Sequence, residues 1–515
     1  MPKRIFMIKK LNLIAVLISL FVLSGCSNGK DEEKSLLRRV PADADIAAVV
    51  NLKKVVESAD GKLDVSKLVL PQYIKDSASK KFIELPGKIA ESGINFESAA
   101  IWVNAKQKEP YIVFEFKDDW RVITAWLENN GYEKTSNIRD FQIFKTEDGN
   151  GSYSHCIFGQ GFAYFYGHDI ADDKAVSEII AAAAKPIIKT EYGQYIDEGN
   201  VLGVAIKIGS IVNEQLPGFY NDEGVNRLCI KADLEKDKLE GKAVILDEKG
   251  EKVIFNPYNT SFNSAAVISS DALAYIPPSE QLVYGMALKD VDWDSAMSAI
   301  TNKADIPIYY TMMLGVAKSY LEKLDGTVAI GIGFDGNRED LVNISNFTDA
   351  INYFPITVVA EIKPGKAKGM LGDLQAILGT LGMSPASTAD GFAAHIPSGG
   401  MLYGSVIKNT IVLSTRPIEK YNSNHAAKLI DGYFAGYGIY LPDNAPYAAG
   451  MGIKGNLSAS FVSDMKENEG EFEVKITDAE GHFVERLLRL VEAYHVGFEQ
   501  VERQSALRSN FTPDI

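Results

Sequence analysis

Two stretches of this 515-residue chain decide its fold, RVPADADIAAVVNLKKV at residues 39–55 and YIPPSEQLVYGMALKDV at residues 275–291. They align without a gap. In both, a proline turn leads into an apolar strand, which ends at a lysine before a short helix. Identical residues coincide at four positions: Pro41 with Pro277, Leu52 with Leu288, Lys53 with Lys289, and Val55 with Val291. This match predicts that one structural unit occurs twice.

The remainder of each half continues the correspondence in kind and order. Each opening is followed by two strands, an amphipathic helix, two more strands, a second helix and further strands. The first half supplies AAIWVN (99–104), YIVFEF (111–116), DWRVITAWLENNGY (119–132), FQIF (141–144), CIFGQGFAYFYG (156–167), AVSEIIAAAA (175–184), VLGVAIKIGS (201–210) and GKAVILDEKGEKVI (241–254). The second half supplies TVAIGIGF (327–334), ITVVAEI (356–362), KGMLGDLQAILGTLG (368–382), FAAHIP (392–397), MLYGSVIKNTIVLS (401–414), AAKLIDGYFA (426–435), YAAGMGIKGN (447–456) and FEVKITDAEGHFV (472–484).

This order predicts an α+β fold of two tandem related halves, each a mostly antiparallel sheet with helices on one face. We place the first repeat at residues 38–265 and the second at 266–515. The DEKGE and DAEGH centres of the last matched segments predict hairpins, with Gly250 equivalent to Gly481. In the helix over 119–132, Val122, Trp126 and Leu127 share the face that we expect to be buried.

The chain after Gly481 has a different pattern, because its apolar residues recur at helical spacing. We therefore expect one long C-terminal amphipathic helix. We expect this apolar stripe to pack across the sheet of its own half. The alternative is that the stripe is a surface for a partner. The stripe consists of Val484, Leu487, Leu488, Val491, Tyr494, His495, Phe498 and Val501.

The N-terminus has the three parts of a lipoprotein signal peptide. Residues 1–10 are basic, residues 11–23 are almost wholly apolar, and Leu23-Ser24-Gly25-Cys26 follows. The apolar run is too short to span a bilayer, which is typical of a cleaved secretory signal. The LSGC sequence resembles the lipobox of bacterial lipoproteins, which implies cleavage before Cys26 and acylation (palmitate included) of that residue. Anchoring by several acyl chains would hold residues 26–515 firmly to the lipid bilayer.

We expect residues 26–37 to form a lipidated, flexible tether. Ser27 follows the cysteine instead of aspartate, which argues against retention in the inner membrane. The run Lys30-Asp31-Glu32-Glu33 resembles the export signal that sends Bacteroidota lipoproteins to the outer face of the outer membrane. A plain solvated tether explains the same charges. We expect an outer-membrane lipoprotein, facing either the cell surface or the periplasm.

Composition excludes one class of partner. Cleavage removes four of the 53 basic residues and none of the 68 acidic ones, which leaves the mature chain with a net charge of −19. The sequence has no block of lysine and arginine that could displace counterions from phosphates. Nucleic acid is therefore not an expected partner, and the partner beyond the bilayer is an unidentified protein or glycan.

Cys156 and Cys229 are the cysteines left after lipidation of Cys26. In an exported protein they could form a disulfide, although buried thiols are the commoner state in a large domain. Alternation in RLCIKADL places Cys229 on the polar face of its strand, which keeps the disulfide open.

The opening LLRRVPADADIAAVVNLKKV (36–55), the lipobox and the length together resemble a family of uncharacterised Bacteroidota lipoproteins, a domain of unknown function that spans most of the chain. The family carries no established activity, substrate or catalytic residue. The resemblance therefore implies an envelope lipoprotein and transfers no site residue.

Familiar catalytic and cofactor motifs fit this sequence poorly. Gly331, Gly333 and Gly336 match GxGxxG, but the residues that follow have no helical stripe, so we predict a strand and a hairpin instead of a dinucleotide site. The six histidines show no metal-ligand spacing, and we predict no metal or other cofactor. The acids of KDVDWDS (289–295) fit a helix N-terminus, with a sugar-binding Trp293 as the alternative.

Two functions remain open. The first is a non-catalytic, membrane-anchored binding or scaffolding module. The second is a hydrolase acting on envelope or surface glycans or peptides. The two differ in one structural feature, because an enzyme should concentrate polar residues in a single site.

Overall fold

The computed structural model describes residues 35–51, 54, 98–104, 110–115, 120–147, 153–167, 170–197, 199–208, 226–253, 262–263, 265–297, 308–335, 353–396, 400–444, 455–487 and 489. The chain is α+β, with extensive antiparallel sheet and few helices. This confirms the predicted class at that level. The chain forms two compact units: unit 1 is Met1–Val253 with Glu480–Glu492, and unit 2 is Ile254–Ala479 with Ala493–Ile515.

Ten described strands of unit 1 pair antiparallel in the order β4-β5-β6-β7-β3-β2-β1-β8-β9-β10. Their bounds are β1 Ile46–Asn51, β2 Ser98–Val103, β3 Tyr111–Glu115, β4 Glu133–Ile138, β5 Phe141–Glu147, β6 Tyr153–Gly159, β7 Phe162–Tyr166, β8 Leu202–Lys207, β9 Arg227–Leu234 and β10 Lys238–Leu246. The central strands β3 and β7 are apolar on both sides, and nearly all of their residues are buried. Such runs are typical of a sheet that is covered on both faces.

The helices of unit 1 include α1 Trp120–Asn129, α2 Asp172–Ala184 and α3 Glu191–Ile196, and residues 483–487 of this unit are also helical. Helix α1 buries Ile123 and Leu127. The prediction for Val122 is wrong, because its side chain is 44% exposed. The buried face of α1 contains Ile123 in place of Val122, so it is rotated by one residue from the predicted face.

Ten described strands of unit 2 pair antiparallel in the order β14-β15-β16-β17-β13-β12-β11-β18-β19-β20. Their bounds are β11 Glu280–Leu288, β12 Leu324–Gly333, β13 Ile356–Ile362, β14 Ala386–Ser387, β15 Gly391–His395, β16 Met401–Ile407, β17 Thr410–Ser414, β18 Ala435–Leu441, β19 Asn456–Asp464 and β20 Glu469–Thr477. The alternation of buried and half-buried residues along β12 shows that one face packs more tightly than the other.

The helices of unit 2 include α4 Ser270–Leu273, α5 Ile308–Leu321, α6 Ala367–Thr380 and α7 His425–Lys428, and residues 293–297 are also helical. Helices α4 and α7 pack on the core that contains Val412, whereas Leu371 of α6 packs with Ile411 on the other side. Adjacent strand residues point to opposite faces. Helices therefore lie on both faces of this sheet, where we expected one. No helix in the described part of either unit is long and apolar enough to cross a membrane.

Both proline turns form as the gap-free match predicts. The carbonyl of Pro41 accepts a hydrogen bond from the N–H of Ala44, and the carbonyl of Pro277 accepts one from the N–H of Glu280. A strand begins within two residues of Ala44 and at Glu280 itself. Leu288 is buried and Lys289 is exposed, whereas Leu52 and Lys53 lie outside the described residues.

One element predicted late in the second half is wrong. The helix expected over 426–435 is only the short α7, since Asn424 caps it and the chain becomes strand β18 at Ala435. Strand β18 pairs with β11. We had expected residues 447–456 to be the counterpart of β8, and most of that segment lies outside the described residues.

The hairpin predicted around DAEGH does not form. Gly250 lies in a hairpin turn, where its N–H donates to the carbonyl of Asp247 and its φ is +78°. Gly481 also has a positive φ, +94°, but residues 483–487 are helical, so strand β20 leads into a helix. The remainder of the predicted C-terminal helix lies outside the described residues except for residue 489.

Candidate functional site

Glu280, at the start of β11, is a buried acid with 1% of its surface exposed. Its Oε1 accepts a hydrogen bond from Oγ1 of Thr357 at 2.6 Å, and that hydroxyl lies 2.9 Å from Oγ of Ser414. Ser414 Oγ in turn accepts the backbone N–H of Arg416 at 3.0 Å. Glu280, Thr357 and Ser414, here named the Glu280 cluster, thus join strands β11, β13 and β17 by polar side chains.

Gly331 of β12 makes room for this cluster. It is in register with Thr357, which is in register with Ser414, so the glycine lies in the same row beneath the carboxyl group. A Cβ on Gly331 would lie 2.0 Å from Oε2 of Glu280 and 2.5 Å from Cγ2 of Ile276. The first glycine of the GxGxxG match therefore serves side-chain packing inside a sheet.

Burial raises the pKa of Glu280 to about 8, and the hydrogen bond from Thr357 and the charge of Arg416 offset part of this effect. The Arg416 guanidinium is itself paired with the carboxylate of Asp335. Oε2 of Glu280 has no hydrogen-bond partner in the described part of the chain. The carboxyl group therefore keeps its proton at neutral pH.

Asn424 ties the proline turn of unit 2 to helix α7. Its Nδ2 donates to the carbonyls of Pro277 at 2.6 Å and Glu280 at 2.9 Å, while its Oδ1 accepts the N–H of Ala427 at 2.8 Å. One buried side chain thereby satisfies two carbonyls of the proline turn and one N–H in the first turn of helix α7. This anchoring holds Glu280 in the interior, where a substrate has no access to its carboxyl group.

Unit 1 has a continuous aromatic row across strands β2, β3, β7 and β6. Trp102, Tyr111, Tyr166 and His155 are successive partners in register. The rings of Trp102 and Tyr111 stack at 4.7 Å, those of Tyr111 and Tyr166 lie 5.2 Å apart, and those of His155 and Tyr166 stack at 4.7 Å. All four are at most 2% exposed, so the row belongs to the core of unit 1.

Asp292 of KDVDWDS caps the helical residues 293–297, in line with the predicted helix N-terminus. Asp292 accepts the N–H of Ser295 at 3.1 Å and its hydroxyl at 2.7 Å, and these bonds lower the pKa of Asp292. Asp294 forms an ion pair with Lys318. Trp293 packs against the cluster that contains Leu371. These contacts support the structural interpretation over a sugar site.

Cys156 and Cys229 are both free thiols with no exposed surface. The disulfide considered for them is therefore absent. Burial raises the pKa of Cys156, and it raises that of Cys229 to about 12. Cys229 does not lie on a solvated face, because Arg227 on the same side of β9 is also buried, with its guanidinium donating to the carbonyl of Ala44.

Three of the four described histidines have structural contacts, and the fourth, His395, is exposed. His155 stacks on Tyr166, His425 stacks on Tyr440 at 4.5 Å, and Nδ1 of His482 accepts the N–H of Val484 at 3.3 Å. Within the described ranges, no three His, Cys, Asp or Glu side chains are grouped so that they could hold a metal ion.

One face of the unit 2 sheet carries an uncharged array, here named the open face. It consists of two adjacent rows across strands β20, β19, β18, β11, β12 and β13, and none of its twelve side chains is buried. Tyr437, Phe461 and Leu282 are 51%, 48% and 36% exposed. The first row is Phe472, Phe461, Tyr437, Tyr284, Ile330 and Val358, and the second is Val474, Ala459, Ile439, Leu282, Ile332 and Ile356.

Sequence reasoning missed both the Glu280 cluster and the open face. Glu280 stands in PPSEQLV, where the sequence predicted a proline turn but no role for the acid. A signal was present, since strands such as TVAIGIGF and ITVVAEI are apolar on both faces although their sheet is antiparallel. The predicted lipid site, Cys26 with Leu23, Ser24 and Gly25, and the acidic run at 30–33 lie outside the described residues.

Comparison with known proteins identifies no relative by sequence: no protein-family model matches the chain, and no curated protein matches it. Among solved structures, TP0453 in crystal form IV has a TM-score of 0.28 and 9% identity, over 42% of this chain and 83% of that one. TP0453 in crystal form I has the same TM-score and 12% identity, over 42% and 82% of the two chains. Similarity at this level carries no argument about fold or function.

Proposed function

We propose that this protein is a cell-envelope lipoprotein, anchored through acylated Cys26, that acts as a non-catalytic binding module. The open face of unit 2 carries this proposal. It places Tyr437, Phe461 and Leu282 together at the surface, with no charged side chain in either row. Exposed apolar patches of this kind are typical of binding surfaces.

The buried polar groups favour binding over hydrolysis. The pKa of Glu280 is raised as in many catalytic acids, but the side chain is 1% exposed and Gly331 lies directly against it. Asp292 and Asp294 are engaged in a helix cap and an ion pair. Neither group of acids combines the exposure and the free geometry that attack on a glycan or peptide requires.

We include in the proposal that the chain consists of two tandem related halves. Three features support it. The described strands follow the same spatial order in each unit, since β11 to β20 pair among themselves as β1 to β10 do. Helices α1 and α6 both follow the third strand of their unit. The turns at Pro41 and Pro277 share the same hydrogen bond.

The C-terminal amphipathic helix is also part of the proposal. Its first turns are supported by the helical residues 483–487, where Phe483 is buried. Continued apolar spacing to Val501 would extend the helix along the remaining stripe. The outer-membrane location is supported by the lipobox and by the acidic run that follows it.

Site-specific crosslinking on intact cells tests the binding function. A photoreactive phenylalanine analogue replaces Tyr437 or Phe461 in the full-length tagged protein, and Val267, which is 53% exposed, serves as the matched control. We expect a discrete adduct from the two open-face positions and none from the control. Equal labelling at all three positions would contradict a specific binding face. Turnover of a glycan or peptide by the purified protein would favour hydrolysis instead.

A further inference from the structure

The strands beneath the open face are built to be covered on both sides. In β12, Ala329 is buried on the core face, whereas Ile330 and Ile332 are apolar residues left half-buried on the opposite face. An antiparallel sheet with one solvated face normally alternates apolar and polar residues. Strand β12 contributes no polar residue to the two rows. This composition therefore indicates that the face contacts an apolar partner.

The equivalent row of unit 1 is fully buried. Ala48, Ile101, Ile112 and Phe165 are successive partners across β1, β2, β3 and β7, and each is at most 3% exposed. Their counterparts by strand order in unit 2 begin with Tyr284 and Ile330, which are half-buried. Unit 1 thus buries this layer, whereas the described residues of unit 2 leave its counterpart half-buried.

The dimensions of the open face limit its occupant. Six strands spaced about 4.8 Å apart give a length of about 24 Å, and two rows that are each about 7 Å wide give an area of about 340 Å². A stable protein interface needs about 800 Å² on each partner. Two copies of the mature chain, each with a net charge of −19 after removal of four of the 53 basic residues, would also repel each other. A second copy is therefore a poor fit.

The two rows differ in side-chain size, which favours a slender occupant. Four aromatic residues stand side by side in the first row, and the rings of Tyr284 and Tyr437 lie 4.6 Å apart. The second row has the small side chain of Ala459 between Ile439 and Val474, so the surface is lower there than along the aromatic first row. A hydrocarbon leaflet is about 15 Å thick, so the acyl chain of one lipid fits within the length of this row.

We propose that the open face binds the acyl chain of a single lipid molecule, along the row of Ile439, Ala459 and Leu282. The inference rests on the proposed binding function and names its ligand class. An uncharged, apolar surface matches an acyl chain because neither partner leaves a polar group unsatisfied. Acylation at Cys26 would also keep the protein beside a source of lipid.

Fluorescence titration with monomeric probes tests this inference on the soluble protein starting at Ser27. The probes are N-phenyl-1-naphthylamine and palmitoyl lysophosphatidylcholine below its micelle concentration, with the hexanoyl homologue for comparison. Ile439→Glu introduces a charge into the row, and Ala459→Phe fills the lower part of the row without a charge. Val267→Glu is the matched control, because it adds the same charge at an exposed apolar residue.

We expect both row variants to bind the naphthylamine and the palmitoyl lipid at least tenfold more weakly than the parent protein and the control variant. We also expect the hexanoyl homologue to bind weakly to all. Unchanged affinity in both row variants, with native circular dichroism, would overturn the inference. Binding only to phosphatidylcholine vesicles would also overturn it, since it would indicate a bilayer surface. Crosslinked adducts at Tyr437 on intact cells, together with no lipid binding by the purified protein, would support the binding function but refute an acyl chain as the ligand.

Discussion

Replacement of Glu280 by glutamine should remove a pH dependence from the stability of unit 2. Glutamine keeps the shape of the side chain and an oxygen that can accept the hydroxyl of Thr357. It does not titrate. The folded pKa of Glu280 is about 8, above its ordinary value of 4.5, because the charged form is desolvated. The folded state therefore holds a proton that the unfolded state releases.

The sign and size of the effect follow from this difference. The contribution of Glu280 to stability is fully present below pH 4.5, declines as the pH rises, and is lost above pH 8. Each pH unit inside the window changes the free energy of unfolding by about 1.4 kcal/mol. Between pH 4.5 and pH 7 the parent protein should lose about 3 kcal/mol that the Glu280→Gln variant does not lose.

Hydrogen exchange measures this effect locally, because two units need not unfold together. Mass spectrometry of peptides from β11 and β13 gives the free energy of opening at a series of pH values, after correction for intrinsic exchange rates. Glu419→Gln, at an exposed acid of the same unit, is the control and should follow the parent protein. Parallel pH profiles for the parent protein and Glu280→Gln would refute the reasoning, as would a parent protein that gains stability as the pH rises.

Three further outcomes are expected. Gly331→Ala should destabilise unit 2 by about 1–3 kcal/mol in urea unfolding, because its Cβ would overlap Oε2 of Glu280; Gly372→Ala, which meets no atom within 4 Å on helix α6, should be neutral or stabilising, and equal losses in both would contradict the packing argument. Cys26→Ala should leave an unprocessed precursor without lipid on a gel-shift and acyl-labelling assay, whereas a normally cleaved, acylated product would refute the predicted lipid site. Alanines at residues 30–33 should protect the protein from protease added to intact cells; equal digestion of both forms, or equal protection, would mean that the acidic run is only a tether.

Local patterns in the sequence determined the element order and the α+β class. The apolar run of β12 and the proline turns at Pro41 and Pro277 involve residues only a few positions apart, so local composition and turn chemistry were enough to find them. The bounds of helices failed where tertiary contacts decided them. Helix α7 ends early because residues 435–441 are needed as the strand that pairs with β11.

Only the tertiary structure decided which side chains share an environment. Glu280 and Thr357 are 77 positions apart in the chain, yet the register of β11, β12 and β13 brings their side-chain oxygens to 2.6 Å. Likewise, Cys229 alternates with apolar residues as a solvated residue would, but its sheet partners bury it. Periodicity assigns a residue to one face of a strand. The strands and helices that pack there determine whether that face is core or surface, and these come from distant parts of the chain.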